Sequence, residues 1–256
     1  MILVHIQQIS TSQILIQSAS SLATQLQKSF GVLSFVDNDE LILVRENELK
    51  AFFSGLNLPA AKIFVRHSKN NTVSDVCEEL EALFLFIQLS DSNSKSIRSG
   101  LNVCMDLRIP YILFKDSFTQ LDMTKVILPI GFLEEEMEKA QFASAFGRFC
   151  GSEVKMLLAN DYGTKAATNA ERMSLLFDKF EFKFTIHKAS KDSFKVEKEA
   201  IQVAANIHAG IIIVSASRDY GLDDIIFGPK EYHVVKKSPI PVLLVNPRGD
   251  LYALCD

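Results

Sequence analysis

The chain has 256 residues, of which 48% are apolar and 23% charged, and a net charge of −4. That length and apolar fraction allow one large domain or two ordinary ones with packed cores, and they exclude general disorder. The acidic balance gives no broad attraction to nucleic acid or to anionic lipid, so neither is an expected partner.

The first run, "MILVHI" (1–6), lacks the basic lead-in of a secretory signal, and no stretch approaches the ~20 apolar residues of a membrane helix. A cytoplasmic location without membrane contact is the expectation. Leu15, Ala19, Leu22, Leu26 and Phe30 then recur at steps of three and four, the mark of an amphipathic helix. Short apolar runs follow at "GVLSFV" (31–36), "KIFVRH" (62–67), "LFLFIQL" (83–89) and "PYILF" (110–114). After the polar junction "FKDSFTQLDMTK" (114–125) the plan repeats. Its runs are "KVILPI" (125–130), "EVKMLLA" (153–159), "FKFTIHK" (182–188), "GIIIVS" (210–215) and "PVLLV" (241–245). Such near-continuous apolar character suits strands covered on both faces of a parallel sheet.

Helical stripes separate these strands. Leu133, Met137, Ala140, Ala143, Gly147 and Cys150 form one; Ala166, Ala170, Met173, Phe177 and Phe180 form another; Val196, Ala200, Val203 and Ile207 form a third. Glu134, Glu135 and Glu136 read as a solvated helix start placed on the positive end of the dipole, not as a metal site. Segment 31–39 is echoed at 153–161, and "RIPYILF" (108–114) at "PIPVLLV" (239–245), which points to duplication of one unit. Alternating strands and helices with right-handed crossovers predict two doubly wound α/β domains, over residues 1–118 and 123–256.

"VILPIGF" (126–132) and "AGIIIVSASRDYGLDDIIFGPKEYHVVKKSPIPVLLVNP" (209–247) carry a resemblance to the universal stress protein family. The second stretch follows that family's order of strand, glycine loop, helix and proline-led strand. The likeness covers the second half well and the first half only in layout, so the chain resembles a tandem member with a diverged N-terminal copy. The resemblance implies a flavodoxin-like parallel sheet in each half and a dimer-like pairing of the halves through their fifth strands, which would also hide strand edges. A homodimer and a protein partner of unknown identity are further expectations.

Family members that bind ATP carry Gly, two residues, Gly, nine residues, then Gly with Ser or Thr. Laid on this sequence, those positions are Ser215, Arg218, Gly228 and Pro229, and the family's aspartate after the first strand becomes Gly131. Arg218 puts a side chain where the backbone should approach a phosphate and disfavours positive φ. Pro229 has no N–H to offer, and Gly131 has no carboxylate to orient a ribose or a metal-bound phosphate. Each lost donor to a charged group costs about 1.5–3 kcal/mol. No cofactor is therefore expected, with ATP or AMP as the alternative; Gly131, Ser215, Ser217, Arg218, Gly228 and Lys230 are the residues that would hold it. In that alternative Arg218 and Lys230 supply charge and Ser215 or Ser217 a hydroxyl. In the other reading Pro229 merely starts a helix and the cations sit in solvent. The matching loop of the first half, "SDSNSKSIRSG" (90–100), has serines that suit helix capping and no glycine spacing.

Catalytic groups do not gather in the sequence. His5, His67, His187, His208 and His233 are scattered, and Cys77, Cys104, Cys150 and Cys255 form no ligand pattern and read as small core residues. An unrelated enzyme of the same layout would rest on His233 or Asp223. The expected protein is a non-enzymatic stress-response module that acts through protein contacts; the alternative is a nucleotide-binding switch or weak ATPase.

Overall fold

The computed structural model describes residues 1–56, 58, 61–90, 95–217 and 229–247. The chain divides into two compact units, Met1–Gln120 and Leu121–Asp256. In the first, β1 (Ile2–His5), β2 (Phe30–Val36), β3 (Lys62–His67), β4 (Phe84–Leu89) and β5 (Tyr111–Lys115) alternate with four helices. These are α1 (Gln13–Gln25), α2 (Glu40–Ser54), α3 (Val73–Glu79) and α4 (Ser96–Cys104). All pairings are parallel, in the order β3-β2-β1-β4-β5, with Ile2 opposite both Phe30 and Phe84. β1 and β4 lie inside the sheet and every residue of both is buried, as their unbroken apolar runs require.

The second unit repeats the plan. Its strands are β6 (Lys125–Ile130), β7 (Glu153–Leu158), β8 (Phe184–Lys188), β9 (Ile211–Ser215) and β10 (Val242–Val245). A 3₁₀ turn at Glu134–Met137 leads into α5 (Glu138–Cys150), followed by α6 (Lys165–Lys179), α7 (Val196–Ile207) and α8 (Lys230–Lys237). The order is β8-β7-β6-β9-β10, again all parallel, with Val126 opposite both Val154 and Ile211. In both units the chain runs outward from its first strand, then returns to that strand's other side. That reversal opens a crevice beyond the carboxyl ends of the two adjacent strands.

Local chemistry explains the element ends. α3 opens on a capping box in which Thr72 and Asp75 satisfy each other's backbone donors. α5 stops where Gly151 takes φ +66°, a left-handed conformation that glycine adopts without penalty. Gly210, just before β9, donates its N–H to the Lys125 carbonyl, and a Cβ there would lie 1.4 Å from the Asp122 oxygen.

Three expectations are corrected. Phe30 is not on the stripe of α1: the helix ends before Gln27, which turns to φ +55°, and Phe30 begins β2. The acidic run at 134–136 is not wholly solvated. Glu136 is 5% exposed and lies 2.5 Å from the buried Lys139 ammonium, so one member of the run turns inward to satisfy a buried cation. Among the described residues no serine of the 90–100 loop caps α4: its N-cap is Lys95, which makes no side-chain capping bond, and Ser96 Oγ donates to the Ser90 carbonyl at 3.0 Å, while Ser92 and Ser94 lie outside the described residues.

Candidate functional site

The crevice of the second unit holds a cavity of about 510 Å³ beyond the ends of β6 and β9. It is built by three segments: Gly131 to Leu133 with Glu135 and Glu136 after β6, Ser193, Phe194, Val196 and Glu197 around the start of α7, and Ser215 to Ser217 at the end of β9. Lys230, the first residue of α8, completes it. Four of the six residues expected from sequence, Gly131, Ser215, Ser217 and Lys230, thus meet in one place. Arg218 and Gly228 lie outside the described residues, as does Asp223.

The donors expected to face a phosphate are largely taken by the chain's own acids. Gly131 N–H donates to Glu136 Oε2 at 3.2 Å, and that carboxylate also receives the ammonium of Lys139. Lys139 is fully buried and donates as well to the Pro129 carbonyl at 2.6 Å. Ser217 donates its hydroxyl to Glu231 Oε2 at 2.9 Å and its N–H to Oε1 at 3.3 Å; Glu231, in the first turn of α8, is 0% exposed. Its carboxylate gains further from the positive end of the helix dipole. Lys230 Nζ lies 3.3 Å from Glu197 Oε1. Burial pushes the Glu197 carboxyl above its usual range, opposed by Lys230. Burial also works against the Lys230 charge, but Glu197, Glu136 and Glu231 together hold its affinity for the proton above the ordinary lysine value. Lys230 is 40% exposed yet engaged, its ammonium paired with Glu197.

The space that a side chain at Gly131 would need is taken by Ser193. A Cβ on Gly131 would lie 3.0 Å from Ser193 Oγ and 3.2 Å from Ser193 Cβ. Ser193 is fixed there: its N–H and hydroxyl both donate to Asp161, and its Oγ accepts the Phe132 N–H at 3.0 Å. Asn169 ties the Gly131 and Leu133 carbonyls with bonds of 3.0 and 2.8 Å. Pro229 sits at the N-cap of α8 in an extended conformation and offers no donor.

In the first unit, the corresponding crevice is bridged by one side chain. Gln88 Oε1 accepts the Gln7 and Gln8 N–H groups at 2.9 Å each, while Nε2 donates to the Gln8 carbonyl, Thr11 and Asp116. The histidines do not gather. His5 ends β1, His67 ends β3, His187 is exposed on β8, His208 follows α7, and His233 stands on α8 against Tyr232. The acids that engage Ser217 and Lys230 escaped sequence reasoning. Glu231 and Glu197 look like ordinary first-turn residues of α8 and α7, and only the fold turns them into one crevice.

Strand order, parallel pairing and a crevice at the reversal point define a doubly wound α/β protein of the flavodoxin-like kind. No protein-family model matches the chain, and no curated protein matches its sequence. Solved structures do share its architecture. A universal stress protein from Archaeoglobus fulgidus DSM 4304 superposes with a TM-score of 0.70, covering 97% of this chain and 97% of its own at 14% identity. A Pseudomonas aeruginosa UCBPP-PA14 protein bearing the same family name gives 0.60 at 13% identity, over 99% and 95% of the two chains. A functionally unknown protein from Pseudomonas aeruginosa PAO1 gives 0.57 at 12% identity, over 99% and 94%. The chain has the universal stress protein fold, and the likeness is one of fold. No helix among the described residues is long and apolar enough to cross a membrane.

Proposed function

We propose that this chain is a universal stress protein of non-enzymatic type, a diverged tandem member that acts through protein contacts and whose second-unit crevice does not take adenine nucleotides. One observation carries this reading: three internal carboxylates occupy the donors a phosphate chain would need. Glu136 takes the Gly131 amide, Glu231 takes the amide and hydroxyl of Ser217, and Glu197 takes the Lys230 ammonium. A phosphate entering the cavity must displace these anions or sit beside them, and like charges at such range oppose binding at low local dielectric. Pro229 and the side chain at Ser193 reinforce the block by removing a donor and occupying the carboxylate's former place. The same fold in related structures supports the stress-protein class, and the engaged groups support the absence of a cofactor.

Calorimetric titration with ATP and AMP, with and without magnesium, tests the reading. No heat of binding is expected at micromolar nucleotide. Saturable heat in that range would overturn it in favour of a nucleotide-regulated switch or weak ATPase.

A further inference from the structure

The first unit holds a cavity of its own, about 600 Å³, between α3 and α4 over the ends of β1 and β2. Its floor is largely apolar. Ile6 is fully buried, Val73 is buried in the first turn of α3, and the Phe35 ring meets His5 edge to face. One polar group sits among them. His5 is 9% exposed, and its buried Nδ1 has no hydrogen-bond partner among the described residues. A buried nitrogen left in this way is uncommon, because desolvation without a replacement bond costs free energy. The cavity that His5 lines is where a ligand can supply that bond.

The rim has the opposite character. Ser74 on α3, Asn102 on α4 and Asp106 just beyond α4 line it, and their side chains make no hydrogen bond or ion pair among the described residues. They offer a hydroxyl, an amide and a carboxylate to whatever enters. The described lining residues include no lysine or arginine, so nothing in the lining offsets the charge of a phosphate, and Asp106 opposes it. A purely apolar ligand would leave His5 without its partner. Burial keeps the His5 ring neutral, with one N–H and one lone pair. A hydroxyl both donates and accepts, so it matches Nδ1 in either tautomer.

We propose that this cavity binds a neutral monosaccharide in its ring form, one hydroxyl on His5 Nδ1, a C–H face against Phe35, and outer hydroxyls on Ser74, Asn102 and Asp106. A sugar ring joins an apolar face to a polar edge, as the floor and rim do. The volume lies within the range of small-molecule sites. The site shares no residue with the second-unit crevice, so its fate is separate from that crevice's rejection of nucleotides.

Titration of the full chain with D-glucose, D-galactose, D-mannose and D-ribose tests it, read by saturation transfer and by the ring-nitrogen resonances of His5. At least one sugar should saturate at millimolar concentration and shift those nitrogens, and its phosphate ester should bind about tenfold or more weaker. His5→Phe keeps a ring of similar shape and should weaken that sugar about tenfold. Asn102→Ala, at an exposed position on α4, should weaken it about threefold with the fold intact, so the test does not depend on the buried variant alone. Silence of all four sugars, or binding that leaves the His5 nitrogens unmoved, overturns the proposal. An affinity unchanged in both variants, or an ester that binds as tightly as its sugar, does the same. Tighter binding of phenol or adenosine than of any of the four sugars overturns it as well.

Discussion

His5 ends β1 with its ring edge against Phe35, 5.3 Å between centroids, and it is 9% exposed with Nδ1 unpartnered among the described residues. Burial alone pushes its pKa down to about 4. Between the ordinary value near 6.5 and about 4, the unfolded chain takes up a proton that the folded chain refuses. Stability therefore falls as the pH drops through that window, by about 3 kcal/mol at full extent, and His5 contributes nothing above it. Urea unfolding of the natural chain and of His5→Gln at pH 7, 5.5 and 4 checks this: the natural chain should lose stability relative to the variant as acid is added. The thiols behave in the same spirit. Burial pushes Cys77 up to about 12 and Cys150 up to about 11, and Cys104 well above its usual value, so none is a ready nucleophile. Residue types did announce the small core cysteines Cys77 and Cys104, whereas Cys150 is only half-buried and Cys255 lies outside the described residues. They did not announce that His5 is a neutral, buried ring, because a strand-end histidine reads the same in water and in a core.

At the scale of elements, the junction of β6, the 3₁₀ turn and α5 is held by one buried ion pair. Lys139, in the first turn of α5, reaches back to Glu136 and to the Pro129 carbonyl. Lys139→Met leaves the Glu136 carboxylate buried without its cation and should cost about 3–5 kcal/mol. Pairing it with Glu136→Leu removes both charges and should restore much of that loss, which a double-mutant cycle by denaturant unfolding would measure. The inner strands were legible from sequence because buried parallel strands are uniformly apolar, and all ten runs became strands, the more exposed β3 and β8 included. The turn was not. Three consecutive glutamates give one composition signal, and the inward rotation of the third depends on a lysine that helical periodicity places one turn away but cannot show to be buried. The candidate site was legible in part for a similar reason. The motif pointed to Gly131 and Ser215, with Ser217 and Lys230 as donors beside its positions, whereas Glu197 and Glu231 belong to no motif and enter only through the packing of α7 and α8 on the sheet.

At the scale of the whole molecule, each unit depends on close contact between its central strands and the segment that leads into them. Gly210 is the tightest such point: its missing Cβ leaves room for the Asp122 carbonyl at the entry to the second unit. Gly210→Ala should lower the global unfolding free energy by about 3 kcal/mol, read as a fall in the thermal midpoint, because backbone must shift on one side or the other. One outer strand of each unit tells the complementary story. β3 and β8 carry exposed and half-buried residues, including Lys62, Arg66, His187 and Lys188, and such charges on a sheet margin discourage unplanned strand addition. The carboxylate of Glu231, seated against Ser217, has a consequence for the whole chain. A cleft that brings its own counter-ions is shaped once, when the polypeptide folds, and needs no visitor to finish it. On the proposed reading its geometry stays independent of the adenylate supply, and a signal reaches the protein through another chemistry.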